Sequence, residues 1–172
     1  KNGNTFVGEC VTGRMLEISP KGKIVKETCI LPKGVKDGGF AFMRNARRLD
    51  NGHFLVAHYG DQCVKEYDAN GKVVWKLDVP GGPHSLTRLP NGHTLIAVAD
   101  KDQNPRLIEV TPEGKTIWEI SNADIPGKPL KFLGGFQYFS DGRFLITNWT
   151  GHVNPKEKVH LLRSEEHTSE LQ

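Results

Sequence analysis

Four segments of the chain begin in the same way: Asn2-Gly-Asn-Thr-Phe-Val, Asn51-Gly-His-Phe-Leu-Val, Asn91-Gly-His-Thr-Leu-Ile and Asp141-Gly-Arg-Phe-Leu-Ile. Their starts lie 49, 40 and 50 residues apart. A glycine after Asn or Asp supplies the left-handed backbone of a tight turn, and the run that follows is rich in strand formers. Each copy therefore reads as the turn and second strand of a β-hairpin. Recurrence at this period marks an array of one supersecondary unit.

A second landmark follows each of the first three: Ser19-Pro-Lys-Gly-Lys-Ile-Val, Asp68-Ala-Asn-Gly-Lys-Val-Val and Thr111-Pro-Glu-Gly-Lys-Thr-Ile. The two glycines are 19 residues apart in the first two copies and 22 in the third, where the excess falls in a loop at 100–105. One whole unit then reads as strand A at 84–89, strand B at 93–99, strand C at 106–111 and strand D at 115–120. Strand B is almost continuously apolar, so both of its faces must be covered, as when sheets stack face to face around an axis.

These features predict an all-β chain: a β-propeller fragment of about three to four four-stranded blades in an incomplete ring, with blade remnants at 2–30, 39–79, 84–121 and 131–162. The 19 Gly and 10 Pro suit short strands joined by tight turns. A closed ring takes about four to eight blades, so the chain reads as cut short at both ends. Residues 163–172 match the translation of a common sequencing adapter and read as a non-native tail. The formal charge of +3 becomes +5 without that tail's one Arg and three Glu. No block of like charge accompanies it, so no nucleic-acid partner is expected. The longest apolar runs fall far below the ~18 residues of a membrane span, so no membrane insertion is expected either. Cys10, Cys29 and Cys63 lack metal-binding spacing and read as buried or half-buried strand cysteines.

Strand direction alternates, so the D-to-A and B-to-C loops share one face and the two tight turns share the other. The first face carries the longer, variable loops, at 30–40, 78–84, 99–105, 121–135 and 150–157, and a rigid scaffold commonly binds through such loops. His84 opens a strand A there, with Arg44 and Gly134 at the corresponding places of the neighbouring blades. Strand A lines the channel of a propeller, so these positions surround its mouth. His84 is the candidate catalytic base, and Arg44 is the cation for an anionic ligand. Glu9, His58 and Asn148 occupy equivalent strand B ends, Asp100 lies two places beyond such an end, and Trp149 can stack on a ring. His58, Asp100, Asn148 and Trp149 are accordingly candidate ligand contacts. His53 and His93, just after turn glycines, read as plain exposed side chains on the opposite face. Trp75 and Trp118 share one repeat position and read as wedges between blades.

The Gly-Lys-x-x-Trp elements at Gly71–Trp75 and Gly114–Trp118 resemble propeller repeats of the pyrroloquinoline-quinone type. His84-Ser-Leu-Thr-Arg-Leu-Pro-Asn-Gly92 resembles the repeats of arylsulfate sulfotransferases and related bacterial proteins. The resemblance covers roughly residues 2–162. It departs from the quinoprotein pattern at Thr111, where Asp is usual, and at Lys26, where Trp is usual, and the chain has no adjacent cysteine pair. It leaves the cofactor unassigned and implies a periplasmic or extracellular protein. Two functions follow: a binding scaffold using the long-loop face for a small molecule, glycan or protein, or an enzyme of sulfotransferase, quinoprotein or polysaccharide-lyase type acting through His84.

Overall fold

The computed structural model describes residues 3–99, 104–125, 127, 129–149 and 160–163. It contains four antiparallel sheets and, among the described residues, no helix. The first sheet holds β1 (Thr5–Gly8), β2 (Arg14–Ile18) and β3 (Ile24–Cys29). The second holds β4 (Asn45–Arg48), β5 (Phe54–His58), β6 (Cys63–Tyr67) and β7 (Val73–Asp78). The third holds β8 (Pro83–Arg88), β9 (Thr94–Val98), β10 (Arg106–Val110) and β11 (Thr116–Ile120). The fourth holds β12 (Leu133–Tyr138), β13 (Phe144–Asn148) and β14 (His160–Arg163). Each sheet is a meander in chain order, the arrangement of propeller blades. The ring is not closed. Residues 164–172, most of the adapter-like stretch, lie outside the described residues.

The turns explain the register. Gly52 sits at φ 82° and donates its N–H to Leu49 O at 2.9 Å, while Asn51 Oδ1 accepts from His53 N at 2.9 Å. A side chain at Gly52 would be strained, and that is why the repeat carries Gly there.

Between blades the core is built by alternation. On β5, Phe54 and Val56, with Tyr67 of the same sheet, face the first sheet and its Met15, whereas Leu55 and Ala57 face the third with Leu86 and Ile96. On β9, Leu95 and Ala97 turn to the fourth sheet with Leu133 and Phe144, and Ile96 and Val98 turn back to the second. All residues of β5 and β9 are buried, as continuous apolar strands require. Each large side chain so buried contributes about 1.5–3 kcal/mol.

The tryptophans act as wedges. Trp75 packs on the core between the second and third sheets and donates its indole N–H to Pro112 O at 2.8 Å. Trp118 meets Phe144 of the next sheet edge to face, with centroids 5.5 Å apart.

A polar latch repeats on the short-turn face. Glu17, Glu66 and Glu109 hold equivalent places on the third strand of successive repeats, each beside a register shift in the ladder. Each takes a hydrogen bond from the residue after the turn glycine: Asn4 at 2.6 Å, and His53 and His93 at 2.7 Å. The next blade reaches across with Arg48 to Glu17 at 2.9 Å and Arg88 to Glu66 at 2.8 Å. At the third boundary the equivalent place is Tyr138. His53 and His93 are thus half-buried ring partners of carboxylates, unlike the plain exposure expected of them. Sequence reading missed this because the partner glutamates sit more than a dozen residues away.

Glu66→Gln should lower unfolding free energy by about 2 kcal/mol, because a charge-assisted bond between blades is lost. Glu109→Gln, which breaks no Arg contact, should lose clearly less in urea titrations. Equal losses would remove the inter-blade role of the Arg88 contact.

Candidate functional site

The long-loop face holds a cavity of about 490 Å³ lined by Phe40, Arg44, Tyr59, His84, Phe132, Gly134 and Trp149. Its walls come from the second, third and fourth blades. Three of the expected site residues, Arg44, His84 and Trp149, meet here, together with Gly134.

His84 is positioned by a β-bulge. The β8–β9 ladder pairs Pro83 with Val98 and Ser85 with Ala97, which leaves His84 as the extra residue. A bulge re-aims the side chain it carries. The same irregularity spans Gly134 at the start of β12. His84 Nδ1 lies 2.7 Å from Gly134 O. A carbonyl only accepts, so Nδ1 carries the proton, and in the neutral ring Nε2 is the basic atom. Burial pushes the His84 pKa down and the Arg44 charge adds to that, with the Gly134 bond opposing. His84 is therefore neutral at pH 7. Nε2 has no hydrogen-bond partner among the described residues. The ring meets Phe132 and Tyr59 edge to face, at 5.1 and 6.3 Å between centroids.

Arg44 lies just ahead of β4, its backbone N–H donating to Ala57 O at 3.0 Å. Its guanidinium carbon sits 3.7 Å from the Phe40 ring centroid and 5.1 Å from that of Tyr59. Stacking of this kind holds the guanidinium plane while leaving its in-plane N–H edges available. Arg44 Nε is buried with no hydrogen-bond partner among the described residues. An unpaired buried donor is costly, and in native proteins it calls for an explanation.

Trp149 meets Phe132 edge to face at 5.2 Å and donates its backbone N–H to Phe132 O at 2.8 Å. Asn148 stands behind this pair, 3% exposed. Its Oδ1 accepts from Lys131 N and Phe132 N at 2.8 and 3.3 Å, and its Nδ2 donates to Pro129 O at 3.0 Å. Asn148 thus shapes the loop that carries Phe132 and does not line the cavity.

His58 does not line it either. The ring is fully buried, with Nδ1 2.8 Å from Phe42 O and Nε2 2.8 Å from the Tyr67 hydroxyl. By the same carbonyl argument Nδ1 is the donor, so the Tyr67 O–H donates to Nε2. Both ring nitrogens are spent inside the fold. Burial pushes the His58 pKa down to about 4, helped by the Lys65 charge. Burial likewise raises the Tyr67 hydroxyl. Asp100 lies outside the described residues. Glu9 is bound to Arg14 in the first sheet at 2.7 Å, away from the cavity.

Phe40, Tyr59 and Phe132 were not anticipated. Tyr59 was readable: it holds the repeat place of Trp149, one residue past strand B. Gly82 makes room for it, since a Cβ there would fall within 3.0 Å of Tyr59 ring carbons. Of the cysteines, Cys63 is buried, Cys10 half-buried and Cys29 exposed, the last departing from the expected burial. No group of three His, Cys, Asp or Glu side chains that could hold a metal converges among the described residues.

Comparison with solved structures places this architecture among β-propellers. A protein of unknown function from Bacteroides caccae matches with a TM-score of 0.78 at 26% identity, covering 94% of this chain and 59% of its own. Streptogramin B lyase matches at TM-score 0.62 and 15% identity, and virginiamycin B lyase from Staphylococcus aureus at 0.60 and 14%. Both lyase matches cover 94% of this chain and about half of theirs, at 51% and 52%. The fold is therefore that of a β-propeller, and the chain spans a little over half the length of these neighbours. No family model and no curated protein matches the sequence. Nothing in these matches singles out the quinone-type repeat.

Proposed function

We propose that the chain is part of a binding propeller whose long-loop face takes a small organic molecule into the cavity of Arg44, His84 and Trp149. The observation that carries this reading is the juxtaposition of the Arg44 guanidinium and His84, whose Nε2 is left free by the Nδ1 bond to Gly134 O, with aromatic walls. Small-molecule sites are typically concave and apolar with a few convergent polar groups, and volumes of roughly 300–1,000 Å³ are usual. A panel of one- and two-ring organic compounds, read by ligand-detected NMR, tests it. Binding should weaken at least about tenfold in Trp149→Ala, the loss typical of a central aromatic contact. Compounds that bind equally well to Trp149→Ala lie elsewhere, and the reading fails.

A second reading rests on the His84 tautomer. A neutral imidazole with a free Nε2, held by a carbonyl at Nδ1, has the form of a general base, and the expected alternative of an enzyme acting through His84 draws its support from that geometry. Two propeller neighbours carry the name lyase, at a likeness that speaks for fold alone. Binding retained but turnover lost in His84→Gln would favour the enzyme.

A further inference from the structure

The chemistry of the lining narrows the ligand, and this narrowing rests on the binding role of the cavity proposed above. Among the described residues that line it there is no Asp, Glu, Asn, Gln, Ser or Thr. Neutral sugars are held mainly by side chains of those kinds, which donate to and accept from successive hydroxyls. The described part of the wall therefore offers a glycan few partners. Nor does the lining suit a cation. The described lining holds no carboxylate, and the resident Arg44 guanidinium against Phe40 and Tyr59 repels a second positive charge.

What the wall does offer is a series of rings in edge-to-face contact, running Tyr59, His84, Phe132, Trp149, with Arg44 at one end. Flat aromatic guests fit such walls through offset and edge contacts. At the Arg44 end, the stacked guanidinium plane presents N–H groups in a fixed fork, the geometry that binds planar anions through two parallel hydrogen bonds.

We propose that the cavity is selective for a one- or two-ring aromatic anion, its carboxylate or sulfonate-type group bound by the Arg44 fork and its rings held between Tyr59, Phe132 and Trp149. The neighbouring His84 supplies an acceptor at Nε2, which suits a hydroxyl or N–H on the ring system and leaves the anion to Arg44.

Naphthoate and its neutral isostere naphthamide are the probes, titrated into the purified protein by calorimetry, with cyclohexanecarboxylate as the non-aromatic anion. Naphthoate should bind at least tenfold tighter than either of the others. Arg44→Met should bring naphthoate down to the level of naphthamide, and Arg44→Lys, which keeps the charge but not the fork, should restore only part of the difference. Equal binding of naphthoate and naphthamide to the unaltered protein, both lost in Trp149→Ala, would overturn the anion selectivity while leaving the cavity as a binding site. Naphthoate binding that is indifferent to both Trp149→Ala and Arg44→Met would overturn the binding role together with the selectivity.

Discussion

Gly82→Ala is expected to destabilise the protein by about 2 kcal/mol and to abolish binding at the cavity, although it adds a single methyl group. Gly82 is not in the left-handed region, so alanine meets no backbone objection there. The objection is the Tyr59 ring, whose Cδ2, Cε2 and Cζ all lie within 3.0 Å of the new Cβ. Either the sheet spreads or the ring leaves, and a departing ring takes with it one face of the Arg44 contact and the edge that meets His84. Tyr59→Ala should relieve the clash. In that background Gly82→Ala ought to be nearly neutral, and the double-mutant cycle should show a coupling of about 1–2 kcal/mol. Additive losses in urea titrations would mean that Gly82 matters for a reason other than this ring.

His58 gives the second large effect, one that depends on pH. Its ring is held neutral in the fold with a pKa of about 4, against about 6.5 when exposed to water. Between those values the unfolded chain binds a proton that the folded chain refuses. Unfolding free energy should therefore fall as pH drops through this window, by up to about 3 kcal/mol, while this group contributes no slope above it. His58→Asn keeps a donor and an acceptor but does not titrate. The variant should be less stable at pH 7.5 yet show a shallower decline toward pH 4. Parallel declines in variant and parent would show that other groups set the acid limit.

Much of the blade architecture is written locally, which is why it could be read. Asn-Gly and Gly-Lys turns are sequence-adjacent devices, and the strands they bound fall within about a residue or two of their expected limits, as with β8 at Pro83–Arg88 and β10 at Arg106–Val110. The meeting of Arg44, His84 and Gly134 was also legible, because repeat register converts position into direction. What escaped was set by contacts between blades. Glu66 gives no sign in sequence that it will join His53 and Arg88. The strand B ends looked alike, yet His58 and Asn148 turn inward to satisfy buried backbone groups, while their neighbours Tyr59 and Trp149 reach the cavity. Register fixes which residues stand at a rim; packing decides which of two adjacent residues faces the cavity. Phe40 and Phe132 lie in D-to-A loops of unequal length, where the repeat no longer predicts position.

The glutamate latches and the bulged strand starts occupy opposite rims, and that separation divides what mutation can reach. Substitutions among Phe40, Arg44, Tyr59 and Phe132 reshape the cavity wall without touching the bolts at Glu17 and Glu66, which clamp one blade to the next from the far side. A lineage built on this plan is free to vary the cavity at one rim while the other keeps neighbouring blades joined.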